Sequence, residues 1–264
     1  MKILLTGGTA QLGHAILSYF DQSDVQIDVL TRQNLAGGQG RSNVRYIQAD
    51  ITRSDTLGSL NTPYDAVVHC ASAPMTPEAT DVQGTHNLIT VLQEEGSAGH
   101  FIYISIVGID KLDSRYYRAK QKAESLITDS GMPHTILRVT QFHDFVYDRV
   151  FRFADIDKKD WLFPAGLRFQ SIDLRDVCGK IEEVIKNGPT ISMRRIGGPE
   201  ILSSKDYVRG FEEMMKHSEV LGSTDKLSEF QKLFTTGDNL CPYDKFGVIT
   251  WKDFLIRKKN LKSI

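Results

Sequence analysis

The stretch Lys2-Ile3-Leu4-Leu5-Thr6-Gly7-Gly8-Thr9-Ala10-Gln11-Leu12-Gly13 decides the fold. Lys2–Thr6 is short, apolar and unbroken, and reads as a buried strand. Leu12–Phe20 has the spacing of an amphipathic helix. The glycines between them form a tight strand-to-helix joint. Gly7 permits the turn, and Gly13 lets the helix pack close to the strand. Backbone N–H groups and the positive end of the helix converge at such a joint, which suits a pyrophosphate. Gly7, Thr9, Ala10, Gln11, Leu12 and Gly13 are therefore candidate dinucleotide-binding residues. Ala10 stands where a glycine would allow the closest backbone approach.

Outward from the joint, short apolar runs alternate with amphipathic stretches. Gln26–Thr31, Val44–Gln48, Ala66–His69, Phe101–Ser105 and His134–Val139 read as strands, and Val82–Glu94 and Ser114–Thr128 as helices. Nearly continuous apolar strands separated by helices imply a parallel sheet covered on both faces, an α/β doubly wound architecture. Beyond residue 140 the pattern loosens. Gln141–Ala154 looks helical, and Trp161–Pro164 and Phe169–Ile172 resemble short strands. Asp173 sits at an N-cap position before a helix at Arg175–Lys186, and Ser203 or Ser204 caps another at Ser203–Lys216. The expectation is a single domain over residues 1–264. Residues from about 141 to 264 contribute its last strands and a small, mostly helical substrate lobe.

Lys and Arg total 32 against 33 Asp and Glu, a formal charge of −1. That balance is no electrostatic footprint for nucleic acid or an anionic membrane. With 41% hydrophobic and 25% charged residues, the chain has globular composition. Cys70, Cys178 and Cys241 form neither a zinc motif nor a disulfide framework, and the histidines show no ligand spacing, so no metal is expected. No apolar run is long enough to span a bilayer, and the N-terminus lacks a signal-peptide core. A cytoplasmic protein with a small-molecule partner is the expectation, and the sequence is silent on oligomeric state.

The position about 20 residues after the turn selects the cofactor. An acid there accepts from the adenine ribose of NAD. Here it is Arg32, whose guanidinium suits a 2′-phosphate, with the Thr31 hydroxyl beside it. NADP(H) is thus favoured over NAD(H). Asp28, the nearest acid, lies inside its strand. Asp50 and Ile51 follow the third strand, where an adenine would lie. Cys70, Ala71 and Ser72 follow the fourth, at the carboxyl edge where ligands bind such sheets. His69 reads equally as a core histidine.

Tyr116 and Lys120 are four apart on a predicted helix and so share a face. A phenol is a poor acid–base catalyst at neutral pH until a nearby cation favours its phenolate, and Lys120 is placed to supply that charge and to hold the nicotinamide ribose. Ser105, closing the preceding strand, is placed to orient a substrate carbonyl oxygen. Tyr116, Lys120 and Ser105 are the candidate catalytic residues. Gln141, Phe142 and His143 follow the sixth strand, where a substrate pocket would open. The basic run Arg257-Lys258-Lys259 reads as a solvated tail.

Leu5–Gly13, Tyr103–Asp110, Tyr116–Lys120 and Thr135–Asp144 together resemble the atypical short-chain dehydrogenase/reductases, specifically the NmrA-like NAD(P)H-binding group. Weaker likeness runs through Asp173–Val177, Gly197–Glu200 and Thr250-Trp251. The resemblance implies a Rossmann fold, a nicotinamide cofactor, and quinone, flavonoid or similar carbonyl substrates. It further implies that Lys120 touches the ribose and that Ser105 and Tyr116 form the catalytic pair. Three functions share these features: an NADPH-dependent reductase, a dinucleotide-sensing regulator without turnover, and a nucleotide-sugar epimerase. The second half looks small for a sugar nucleotide, and the reductase is favoured.

Overall fold

The computed structural model describes residues 1–35, 41–58, 60, 62–96, 99–153, 166–215 and 229–262. In chain order the elements are β1 (Lys2–Thr6), α1 (Gln11–Tyr19), β2 (Gln26–Thr31), β3 (Val44–Gln48), β4 (Ala66–His69), α2 (Gly84–Glu94), β5 (Phe101–Ile106), α3 (Arg115–Asp129), β6 (His134–Val139), α4 (His143–Phe153), β7 (Arg168–Phe169), α5 (Leu174–Asn187), β8 (Ser192–Ile196), β9 (Leu202–Ser203), α6 (Ser204–Met215), α7 (Glu229–Thr236) and α8 (Trp251–Lys262).

Seven strands form one parallel sheet, flanked by helices, in the order β3-β2-β1-β4-β5-β6-β8. Thr6 is in register with Leu30 on one side and His69 on the other. The chain builds outward from β1 to β3 and then returns to start β4 beside β1. The order reverses there, and ligands of such sheets bind beyond the carboxyl ends of the strands at the reversal. This is the doubly wound Rossmann-type sheet expected from the alternation of apolar runs.

Two compact units make up the chain. The first contains Met1–Ser105, Asp113–Leu137 and Cys178–Arg194; the second contains Ile106–Leu112, Arg138–Val177 and Arg195–Ile264. In the first, Leu4, Val67, Phe101, Tyr103 and Ile136 project from one sheet face onto Leu88 and Leu92 of α2 and Ala123 and Ile127 of α3. Each such buried side chain contributes about 1.5–3 kcal/mol relative to exposure, so this layer fixes where α2 and α3 lie. Ser114 caps α3 by accepting from the Tyr117 N–H.

The second unit is organised around aromatics. The Trp251 ring meets Tyr207 edge-on at 4.9 Å and stacks on Phe254 at 5.2 Å, and its Nε1–H donates to the Tyr207 carbonyl. Asp173 accepts from the Arg175 N–H at the start of α5, as a cap should. Two expectations need correction. Phe169–Ile172 is not one strand: Arg168–Phe169 pairs with β9, and Ile172 makes an isolated bridge with Phe142. The basic run 257–259 is no loose tail but lies on α8, where Arg257 pairs with Asp173 and Lys258 with Asp144. β8 presents no apolar run in the sequence, because its three central residues are exposed. The expected strand Trp161–Pro164 lies outside the described residues. Among the described residues, no helix is long and apolar enough to cross a membrane.

Candidate dinucleotide cleft and its polar wall

β1 delivers Thr6 to the sheet edge, and the chain turns there through Gly7 with a positive φ of 73°. A Cβ on Gly7 would lie 2.8 Å from the Ala71 nitrogen, so the turn rests directly on the backbone after β4. The Gly13 Cα packs on the same turn: a Cβ there would stand 2.3 Å from the Gly7 carbonyl oxygen. Leu12 and Gly13 are buried under the joint, while Gln11 is exposed at the first turn of α1. Ala10 occupies the N-cap, so no side chain caps α1, and no acid stands in its first turn. Ala10 offers no side-chain acceptor to the first turn of α1, whose positive end suits an anion.

From this joint a cleft of about 270 Å³ runs along the carboxyl edge of the sheet. Gly7, Thr9, Ala10, Arg32, Asp50, Ile51, Cys70, Ala71 and Ser72 all line it, together with Thr31, Gln33 and Thr52. Sequence reasoning collected these residues from four separate segments, and the fold brings them to one wall. Arg32 is exposed, and among the described residues no hydrogen bond or ion pair ties down its guanidinium. Asp28 is engaged elsewhere. Burial works to raise its pKa, but bonds from Arg45 and Tyr64 outweigh that and hold the carboxyl below its usual range. An uncapped helix start, a cradle that a Cβ would fill and an untethered guanidinium together fit the phosphates of a dinucleotide.

Two residues beside the cleft are inert. His69 Nδ1 lies 2.6 Å from the Thr6 hydroxyl and Nε2 lies 2.9 Å from Thr85, and burial lowers its pKa to about 3. It is a neutral core histidine that ties β1 to β4. Burial likewise pushes the Cys70 thiol far up, leaving no thiolate.

The Tyr–Lys pair is arranged differently from the expectation. Tyr116 and Lys120 do share a face of α3, but the Lys120 ammonium is buried. It donates to the Ile104 carbonyl at 2.9 Å, stands 3.6 Å from Asp81, and lies 4.4 Å from the centroid of the Tyr103 ring. Burial lowers its pKa, opposed by the charge of Asp81. The expected benefit to Tyr116 does not appear. Burial raises the phenol to about 12; the Ser72 bond pulls downward, and the Asp81 charge pushes upward again. Tyr116 reaches the cleft through Ser72, whose hydroxyl is 2.9 Å from its own. Ser105 is buried and donates to Glu124 at 2.5 Å. Thus Ser72, read from sequence as a cofactor contact, is the serine bonded to Tyr116.

Sequence reasoning missed Asp81. Its signal was present: Asp81, Thr85, Leu88 and Leu92 are all buried along one helical stripe, so an acid sat on the core side of that stretch. Gln141, Phe142 and His143 belong to the second unit. His143 Nδ1 lies 2.6 Å from the Ser171 hydroxyl and Nε2 3.0 Å from the Ile249 carbonyl. Both ring nitrogens are engaged and the side chain is buried.

A family model for NAD(P)H-binding proteins matches residues 7–157. No curated protein sequence matches the chain. Among solved structures, an NADPH-dependent quinone oxidoreductase from Escherichia coli, complexed with NADPH, superposes with a TM-score of 0.81 at 15% identity, covering 98% of this chain and 100% of that one. A UDP-glucuronic acid 4-epimerase from Bacillus cereus, in complex with UDP-glucuronic acid and NAD, gives 0.75 at 18% identity, covering 98% of each chain. A dTDP-glucose 4,6-dehydratase from Bacillus anthracis in complex with NAD gives 0.74 at 15%, covering 100% of this chain and 98% of that one. At such identities the likeness is one of fold. With the family match spanning more than half its length, and the glycine joint and cleft inside the matched region, the chain belongs to the NAD(P)H-binding family.

Proposed function

We propose that the protein is an NADPH-dependent oxidoreductase of the atypical short-chain dehydrogenase type, akin to the NmrA-like group. It reduces a small carbonyl or quinone compound in the reducing cytoplasm, without a nucleic-acid or membrane partner. One observation carries this reading: the uncapped start of α1, the untethered Arg32 and the Ser72 bonded to Tyr116 lie along a single cleft. The α1 N–H groups and Gly7 would hold the pyrophosphate, and Arg32 with Thr31 the 2′-phosphate. Asp50 and Ile51 would flank the adenine. A bound nicotinamide supplies hydride chemistry. Tyr116 gives the proton to the substrate oxygen, and Ser72 orients the phenol. Steady-state NADPH consumption over a panel of carbonyls and quinones tests the proposal, run beside a fluorescence titration of NADPH. Binding without any turnover removes the enzymatic reading.

A second reading has its own support. Lys120 is tied to Ile104 and Asp81, and Tyr116 is raised to about 12, an arrangement that suits holding a dinucleotide without turning it over. Such a sensor must bind NADP⁺ and NADPH with different affinities, since only differential affinity moves a conformational equilibrium. Equal affinities by calorimetry would eliminate it.

A further inference from the structure

Between Pro77 and α2 the chain winds through a π-helical turn, Glu78–Gln83. Wide turns of this kind concentrate at functional sites. This one carries Asp81 into the interior with no solvent exposure. One carboxylate oxygen accepts from the Ser72 hydroxyl at 2.6 Å, and the other accepts from the Ala73 N–H at 3.1 Å. Ser72 Oγ is also 2.9 Å from the Tyr116 hydroxyl. A serine hydroxyl has one proton and a carboxylate only accepts. With the Ser72 proton committed to Asp81, the Tyr116 hydroxyl must be the donor to Ser72. The chain therefore runs in one direction, from Tyr116 through Ser72 to Asp81.

We propose that Ser72 and Asp81 form the proton path of Tyr116, with Asp81 a positioning residue that acts on Tyr116 through Ser72. The inference rests on the oxidoreductase reading above and adds a direction to it. In alcohol oxidation a bound NAD(P)⁺ would accept the hydride as the carbinol C–H bond breaks and the C=O bond forms. The alcohol proton passes to Tyr116, the Tyr116 proton to Ser72, and the Ser72 proton to Asp81, which becomes a neutral acid. Carbonyl reduction runs the path backwards from a protonated Asp81, which gives its proton to Ser72 as Ser72 gives its own to Tyr116 and Tyr116 to the substrate oxygen; solvent at the exposed Ser72 restores the proton. Lys120 from α3 faces Asp81 and balances its charge, and the phenols of Tyr103 and Tyr116 lie close enough to feel it. His69 reaches this cluster through Thr85, which donates to the Asp81 carbonyl, but it is neutral.

The experiment reads the path without substrate or cofactor. Tyrosine ¹³Cζ NMR shifts of the full chain are followed against pH, with Tyr116 assigned by Tyr116→Phe. Asp81→Asn frees the Ser72 proton to donate to the phenolate, so the Tyr116 titration should move down by about one unit, a tenfold gain in phenolate at fixed pH. In a Ser72→Ala background the same Asp81→Asn change should alter the phenolate fraction by less than about threefold, because the link is gone. Equal shifts in both backgrounds mean a through-space charge effect and overturn the path, as does no shift at all. Should Asp81→Asn not fold, Ser72→Ala alone decides. Ser72 is exposed, and its removal should speed exchange of the Tyr116 hydroxyl proton by tenfold or more, with unchanged exchange overturning the proposal. NADPH titration of the same samples separates the failures: no binding sinks the proposed function, whereas binding with equal shifts sinks the path alone.

Discussion

The Lys120 ammonium stands 3.6 Å from the Asp81 carboxylate, and both side chains are almost fully buried. Neither charge has water to solvate it, so each depends on the other. Removing one partner strands the second in the interior, at a typical cost of about 3–5 kcal/mol. Lys120→Met should therefore destabilise the protein by several kcal/mol. Adding Asp81→Asn to it should recover most of the loss, since both charges then disappear together. Urea unfolding of the two single variants and the double variant gives the coupling, and strict additivity would show that the pair is not an energetic unit.

Arg32 is exposed on the cleft wall with its guanidinium untethered among the described residues. On the proposed reading, the 2′-phosphate of NADPH gives it a charged partner that NADH lacks. Arg32→Ala should weaken NADPH by about tenfold or more, the range of a charge-assisted contact, and NADH by less than about threefold. Fluorescence titration of both dinucleotides checks this, and parallel losses would mean that Arg32 does not read the phosphate.

Sequence legibility followed burial. β1, β2, β4 and β6 appear with the bounds their apolar runs predict, because strands buried on both faces advertise themselves, and the half-exposed edge strand β3 also has its predicted bounds. β8 carries Met193, Arg194 and Arg195 exposed at the sheet edge, so it had no apolar run to find. In α8 the buried Trp251, Phe254 and Leu255 keep helical spacing, but the basic residues that follow drew attention to charge. The cleft was legible because its parts follow strand ends, a rule of topology. The proton chain was not, since Ser72, Asp81 and Tyr116 meet only after β4, the π-helical turn and α3 are folded together.

His69 gives stability a pH dependence of definite sign. Its folded pKa, about 3, lies below the ordinary histidine value of about 6.5, so the unfolded chain binds a proton that the folded chain refuses. The stabilisation is complete above pH 6.5 and is lost as pH falls towards 3. Between pH 6.5 and 5 the loss amounts to about 2 kcal/mol at 1.36 kcal/mol per unit. His69→Gln removes the titrating group while offering polar atoms to Thr6 and Thr85. It should flatten the difference in unfolding free energy between pH 7 and pH 5 by about that amount. Urea melts at the two pH values measure it, and an unaltered difference would assign the acid sensitivity to other groups.

Gly13 tests the joint on which the dinucleotide reading stands. A methyl group there would sit 2.3 Å from the Gly7 oxygen and 2.4 Å from the Gly8 Cα, all backbone, with no flexible side chain to move aside. α1 would have to lift off the turn, carrying the positive end of the helix away from the anion it is placed to hold. Gly13→Ala should cost about 1–3 kcal/mol of stability, the usual penalty for overpacking, and weaken NADPH and NADH alike. Gly58 is the control, because a Cβ there meets nothing within 4 Å. Gly58→Ala should leave melting temperature and both affinities unchanged. Differential scanning calorimetry with and without each dinucleotide reads stability and binding together. A Gly13→Ala protein that melts and binds like the unaltered chain would remove the close helix–turn packing from the account of cofactor binding.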